Sequence, residues 1–491
     1  MISRSWFVRP MLCAAFVGSI ALATFSPTPS RAVTSSDLIA TFIGTGVAGT
    51  AGDGGPAIQA QLQNDGSGSG PILGIGYYTT ASGDTDVFTT SGCQVRRVDK
   101  SGIISSLLAA CNDRANGIGV DPRNGNVYYS GERSCKVWLL KRNLDQTYAS
   151  TPIAVAGTGT CTVVGNGVVS GIATTINLEP LYTVSVDADG NVYVPEWYGL
   201  RLRMVAPDAD GVVDGTGEQM VTLAGLGPNA GYLYKPTVAT AFKDPSSGST
   251  HVYFAAAGNQ IFATDTLPCG AGTTKPACTA TQIAGIGSGY GGDGGPASAA
   301  QFAGGVSQLW GLSTDGSGNL YVADNGNCRL RRIVPGADNI LTGASDEIIT
   351  TIAGNGTCGV SGDQGLATSA QISDDSYAVA VTPDASKLYL IDSNRARIMY
   401  QNVDTDHDGY GDALEKALGK NPAVYCATMR ADVDSDSNVT SADQNLVASN
   451  SGPVPPKPAR YDQNNPPDNY INVIDLQIQG RQLGRNISSC P

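Results

Sequence analysis

The residues best suited to chemistry lie near the end of the chain. Asp404, Asp406 and Asp408 alternate with Thr405 and His407; Gly409 follows, then Tyr410, Asp412 and Glu415. Alternating carboxylates, a turn glycine, a backbone carbonyl, a further acid and a terminal glutamate are what a twelve-residue calcium loop requires. Tyr410 would offer its carbonyl, Asp412 an oxygen directly or through water, and Glu415 both oxygens. An all-oxygen donor set suits Ca2+ rather than zinc or copper. His407 faces away from such a centre. A second run offers Asp432, Asp434, Asp436, the Asn438 carbonyl, Thr440 and Asp443, with Ser437 where the turn glycine is expected. A third offers Asp462, Asn464, Asp468, Tyr470, Asn472 and Asp475, with two extra residues between the second and third ligand positions. Clustered carboxylates repel one another until a cation neutralises them, so the expected role of calcium is to fold these loops.

The rest of the chain is poor in reactive groups. It has 2 His in 491 residues, no Cys-x-x-Cys pair and no Gly-x-Ser-x-Gly elbow. His251 stands at the start of a strand-like run and reads as structural. A net charge of −13 argues against a nucleic-acid partner, because phosphate binding needs clustered Lys and Arg. Hydrophobic residues make up 41%, enough for a core, and 62 glycines point to β-structure with many tight turns.

Residues 1–32 read as a secretory signal: Arg4 and Arg9, an apolar run from Met11 to Phe25, and small residues at Ser30 and Ala32. The run is too short, and too soon followed by proline, for a membrane anchor. Its removal takes three arginines (Arg4, Arg9, Arg31) and no acid, which moves the charge from −13 to −16. It also takes Cys13, leaving Cys93, Cys111, Cys135, Cys161, Cys269, Cys278, Cys328, Cys358, Cys426 and Cys490. An even set in an exported chain suits disulfides.

What must position these groups is a repeat between residues 37 and 402. One strand type ends in Ala-Gly or its like: Ile39–Gly44, Ile104–Ala110, Ile153–Gly157, Val221–Gly225, Gln282–Gly285 and Ile349–Gly354. A second carries an aromatic after a turn: Phe88, Tyr128, Tyr193, Tyr253, Tyr321 and Tyr389. A third holds paired arginines, as in Gln94–Val98, Leu200–Arg203, Arg329–Ile333 and Arg395–Ile398. Apolar and polar residues alternate as in half-buried strands. About four short strands per repeat cannot bury both faces of one sheet, but stacking sheets radially does. Six copies predict a mainly β, six-bladed propeller. The final blade lacks its last strand, while a spare copy lies at the start of the repeat. Residues 38–44 are therefore expected to pair with the strand around 396–401 and close the ring. Cys93, Cys135 and Cys328 share one place in the repeat, and Cys111, Cys161 and Cys358 another. Pairs 93–111, 135–161 and 328–358 are expected, with 269–278 in the fourth blade and 426–490 bracketing the tail. The paired arginines are expected to cover outer strands, pair with turn aspartates and discourage edge association.

Ala51-Gly-Asp-Gly-Gly-Pro-Ala57, Gly292-Asp-Gly-Gly-Pro-Ala297 and Gly362-Asp-Gln-Gly-Leu-Ala367, each after an Ala-Gly or Ile-Gly strand, resemble NHL-repeat propellers. So does Asp315-Gly-Ser-Gly-Asn-Leu-Tyr-Val-Ala-Asp-Asn-Gly-Asn-Cys-Arg-Leu-Arg-Arg332. The first calcium loop resembles an EF-hand loop. The two that follow resemble a dockerin, with departures at Ser437, at Asn465 to Pro467 and in the proline-rich link Pro453 to Pro458. Beside the signal at 1–32, these resemblances imply a propeller at 33–402, an EF-hand-like loop and helix at 403–425, and a small helical dockerin-like domain at 426–491. They imply a secreted protein whose propeller binds a protein or glycan, and whose tail docks, through a cohesin-like partner, into an extracellular or cell-surface assembly. The alternative they raise is an enzyme of the lactonase or lyase type with a metal in the central channel. No catalytic set can be nominated from the residues, so binding is the expectation.

Overall fold

The computed structural model describes residues 33–35, 37–63, 72–108, 113–162, 170–225, 235–256, 258–264, 280–303 and 309–400, together with 452–453 and 470–471. The expected alternation becomes six antiparallel sheets, each with four principal strands. Blade 1 holds Ile75–Thr79, Thr85–Ser91, Gln94–Val98 and Ile104–Ser106. Blade 2 holds Ala115–Val120, Val127–Gly131, Lys136–Leu140 and Ile153–Ala156. Blade 3 holds Ser185–Val186, Val192–Glu196, Arg201–Val205 and Gln219–Gly225. Blade 4 holds Pro236–Lys243, Thr250–Ala256, Gln260–Thr264 and Ala280–Ala284. Blade 5 holds Leu312–Thr314, Leu320–Asp324, Arg329–Val334 and Ile348–Ala353. Blade 6 holds Val379–Val381, Lys387–Ile391, Ala396–Tyr400 and, from the start of the repeat, Leu38–Ile43. The closing register runs from Leu38 opposite Tyr400 to Ile43 opposite Ala396, so the ring shuts as the spare strand requires.

The first strand of every blade faces the axis and lines a channel with a cavity of about 370 Å3. Blades crowd there. A Cβ added at Gly117 would lie 2.5 Å from the Thr183 Cα of the next blade, so only glycine allows this approach. The core is divided between blades. Phe88 and Ile118 pack between blades 1 and 2, Tyr193 and Phe254 between 3 and 4, Tyr253 and Leu320 between 4 and 5. The aromatics that recur in the sequence are thus the residues that glue one blade to the next, each burying a large apolar area.

The arginine strands pair with turn aspartates as expected but do not cover an outer surface. Arg96, Arg203, Arg331 and Arg397 are fully buried rather than spread over an outer surface. In blades 1, 5 and 6 the buried guanidinium holds the aspartate of the Gly-Asp-x-Gly loop arriving from the preceding blade: Arg96 to Asp53 at 2.6 Å, Arg331 to Asp293 at 2.7 Å and Arg397 to Asp363 at 2.7 Å. Backbone carbonyls complete the fork, as with Arg331 to Gln301 at 2.6 Å and Gly291 at 2.8 Å. Arginine alone presents enough rigid donors for such a clip. The Gly-Asp loops are therefore joints between blades. Asp293 is held below the ordinary carboxylate range: burial opposes this, but the Thr351 hydroxyl and Arg331 outweigh it.

Cys135 is bonded to Cys161 and Cys328 to Cys358, with Cα atoms 5.3 and 5.1 Å apart, inside the range for an unforced bridge. Cys93 is also disulfide-bonded. Its expected partner Cys111, the pair 269–278 and the pair 426–490 lie outside the described residues. So does the expected helical calcium-loop domain, apart from a two-residue ladder of Gly452–Pro453 with Tyr470–Ile471.

Candidate functional site

The channel has two differently built ends. At one, the turns between first and second strands carry Asp187 and Asp315. Asp315 accepts bonds from the Asn319 amide at 2.7 Å and the Tyr321 hydroxyl at 3.0 Å. Asp187 does the same with Asn191 at 2.8 Å and Tyr193 at 2.7 Å. These carboxylates organise hairpins, and nearby Lys243 is paired with Asp189 at 2.5 Å. Among the described residues, no group of three or more His, Cys, Asp or Glu converges where a metal could be held.

The other end is aromatic. It is the mouth where the first strands begin and where the turns between second and third strands arrive. A cavity of about 300 Å3 is lined by Leu73, Arg114, Asn116, Tyr182, Trp197, Tyr198, Trp310 and Tyr377. Blade 3 supplies three of its eight lining residues, more than any other blade. Its Glu196-Trp197-Tyr198-Gly199 turn projects two rings, and the segment entering the blade brings Tyr182. Trp310 and Tyr377 stand just before the first strands of blades 5 and 6. Trp197 stacks on Trp310 with centroids 5.2 Å apart and planes 14° apart, while Tyr182 meets Trp310 edge-on at 5.5 Å. The other approach to Trp197 is taken by Lys235, whose Nζ lies 5.1 Å from the ring centroid. The hydroxyls of Tyr182 and Tyr198 are 3.5 Å apart.

The polar groups are few and placed. Arg114 is paired with Glu132 at 2.7 Å. The Asn116 amide donates to Glu132 at 3.1 Å and to the Leu181 carbonyl at 3.2 Å. Behind Tyr198, buried Glu179 accepts the Tyr198 N–H at 2.7 Å, and its second oxygen has no hydrogen-bond partner. Burial pushes the Glu179 carboxyl up to about 8, and Glu196 nearby adds to the rise. It is therefore largely neutral at pH 7. Burial, with Asp375 adding, raises Tyr377 to about 12, so it too stays protonated. Asn325 is fully buried beside Tyr377, and its side chain reaches the Tyr377 hydroxyl.

The metal-ligand candidates Asp404, Asp406, Asp408, Tyr410, Asp412, Glu415, Asp432, Asp434, Asp436, Asn438, Thr440, Asp443, Asp462, Asn464, Asp468, Asn472 and Asp475 lie outside the described residues. Of Tyr470 only the strand backbone is described. The aromatic mouth was not nominated from sequence. The available signal was a break in the repeat: Trp197 and Tyr198 stand where blade 5 has Asn325 and Gly326.

The fold is similar to that of several solved structures. A protein of unknown function from Bacteroides thetaiotaomicron aligns at a TM-score of 0.50 over 74% of this chain and 75% of that one, with 14% identity. An auxiliary nutrient binding protein from the same organism gives 0.47 over 74% and 75%, with 12% identity. A gluconolactonase from Xanthomonas campestris gives 0.40 over 76% and 95%, with 11% identity. At such identities the likeness is one of fold. No family model matches this chain, and no curated protein matches it in sequence.

Proposed function

We propose that this is a secreted binding protein: an NHL-type propeller that presents the aromatic mouth to a protein or glycan, carried on a calcium-folded tail. The observation that carries the binding reading is the mouth itself, five aromatic residues around a cavity with a few fixed polar groups. Concave, mostly apolar sites with sparse polar contacts are where small or protruding ligands bind. Disulfide bonding within blades supports export. The tail's role rests on its donor spacing and its all-oxygen chemistry. Its dockerin-like half would dock the propeller onto a cohesin-like partner.

Two experiments test this. Immobilised oligosaccharides and peptides are offered to the full chain and to a Trp197→Ala/Tyr198→Ala variant of unchanged circular dichroism. Retention by the parent and loss by the variant is the expected result; equal retention would remove the mouth from the account. Separately, calcium is titrated into the chelated full chain. Saturable uptake should make the tail protease-resistant while the propeller resists digestion throughout. An identical digestion pattern with and without chelator would end the calcium proposal. The lactonase or lyase alternative predicts a metal retained in the propeller after the tail sites are stripped, which metal analysis of the same samples reads directly.

A further inference from the structure

The inference here rests on the mouth being the binding surface, and names what it takes. We propose that the mouth is a subsite for a neutral saccharide, seated against Trp310, Tyr182 and Tyr377 with its hydroxyls served by the uncharged polar groups of the wall.

Size comes first. About 300 Å3 is at the small end of ligand cavities, room for a sugar unit of a longer chain. A folded protein partner would need roughly 800 Å2 of surface on each side, which the cavity does not itself offer. Chemistry comes second. A sugar ring has a face of C–H groups and a rim of hydroxyls. Tyr and Trp match that division, since each joins a large apolar surface to a polar tip.

Charge decides between ligand classes. Arg114 is the charged residue of the wall, and Glu132 already neutralises it at 2.7 Å. Lys235 is spent on the Trp197 ring. Behind the wall, Glu196 holds both Arg201 and Arg203. An anionic ligand would have to break one of these pairs, with Asp374 and Asp375 exposed at the rim beside Tyr377 to repel it. A cationic ligand would want a carboxylate in the wall; the wall holds none, Glu132 behind it is committed to Arg114, and the rim aspartates lie in water.

The polar groups of the wall point the same way. Apart from the paired Arg114 they include the hydroxyls of Tyr182, Tyr198 and Tyr377 and the amide of Asn116, none of them charged. A tyrosine hydroxyl both donates and accepts, and so does each sugar hydroxyl. A hydroxyl in the cavity, or the water it holds, is served without introducing charge.

The test is titration of the full chain, followed by tryptophan fluorescence and calorimetry, with five probes: cellohexaose, maltohexaose, hexagalacturonate, tetramethylammonium chloride and an unstructured peptide pool. At least one neutral hexasaccharide should bind saturably. Trp310→Ala should weaken it tenfold or more and Trp310→Phe by less. The half-exposed Tyr198→Ala serves as a second probe that is not expected to disturb folding, and should weaken binding a few-fold. Binding of only the uronate, the ammonium ion or peptides, lost in Trp310→Ala, would overturn the neutral-saccharide assignment and leave the mouth as the binding surface. No binding by the parent, or binding untouched by both Trp310→Ala and Tyr198→Ala, would overturn both.

Discussion

Blades 3 and 5 are copies of one repeat that have been put to different uses. Both turns between second and third strands end on a residue in the left-handed region, Leu200 at φ 54° and Cys328 at φ 52°. The two turns therefore close in the same way, although a leucine there is uncommon. In blade 5 the turn reads Asp-Asn-Gly-Asn and its aspartate, Asp324, stands 3.5 Å from Arg331. That arginine is also locked to Asp293 of the incoming loop, so every donor is used. In blade 3 the turn reads Glu-Trp-Tyr-Gly. Arg203 there bonds Glu196 at 2.6 Å and the Met220 sulfur at 3.6 Å, and one of its terminal nitrogens is left unpaired. Burial accordingly pulls Arg203 below its ordinary value, against the attraction of Glu196. The regular blade spends its polar groups on joining neighbours. The irregular blade has given up part of that and shows rings to the channel mouth.

The contrast breaks first on the arginines. Arg331→Leu leaves Asp324 buried without a counter-charge and strips the carbonyls of Gln301 and Gly291 of their donor. Its expected cost is about 3–5 kcal/mol, the usual result of removing one member of a buried pair. Arg203→Leu leaves Glu196 still paired with Arg201 and removes an already unsatisfied group, so about 1–2 kcal/mol is expected. Denaturant midpoints of the two variants measure the difference. Equal costs would mean the blade 5 clip is no stronger than its irregular counterpart. The bridges should behave alike: Cys135–Cys161 spans 26 residues and Cys328–Cys358 spans 30. Replacing either pair with serines should cost about 2–4 kcal/mol, because the loop closed in the unfolded chain is nearly the same. A blade 2 cost far from the blade 5 cost would show that local packing, not chain entropy, sets their value.

Much of the ring was legible beforehand, for a physical reason. Strand period, turn glycines and the recurring tyrosine are short-range signals, and closure followed from counting one strand too many at the start. The arginines misled because alternation places a charged side chain in water by default. Their burial depends on aspartates such as Asp53, far back in the chain, whose proximity no local pattern shows. The mouth was hidden for the same reason: its wall gathers residues from Leu73 to Tyr377, drawn from five of the six blades, and no window of sequence contains them together. Even so, blade 3 announced itself by breaking the Asp-Asn-Gly-Asn pattern.

Glu179 sharpens the comparison through pH. Its folded value, about 8, lies above the ordinary 4.5, so the folded chain keeps a proton that the unfolded chain releases across that window. Stability from this group is therefore full at low pH and is lost as pH rises from about 4.5 to about 8. The charges facing it are Glu196, which opposes ionisation, and Arg201 and Arg203, which favour it. Glu179→Gln mimics the protonated carboxyl and should flatten this part of the profile. It should gain about 4–5 kcal/mol over the parent at pH 8.5 and less than about 1 kcal/mol at pH 5. Parallel midpoint-against-pH curves for the two proteins would show that the carboxyl is ionised in the fold, and would remove the neutral environment argued for the mouth.

The smallest expected effect is an equality. At the end of the channel away from the mouth, blades 3 and 5 carry the same Asp-Asn-Tyr network, with hydroxyl to carboxylate distances of 2.7 Å for Tyr193 and 3.0 Å for Tyr321. Tyr193→Phe and Tyr321→Phe keep the ring between the blades and remove one donor to a buried aspartate. Each should cost about 1–2 kcal/mol, the two agreeing within about half a kcal/mol. Tyr128→Phe in blade 2 releases only a neutral acceptor, the Val213 carbonyl, and should cost less than either. Agreement of the first two would confine the divergence of blade 3 to the mouth and its arginine. A markedly cheaper Tyr193→Phe would show that the whole blade has loosened, and the rings at the mouth would then be one sign of a weakened repeat rather than a surface built onto an intact one.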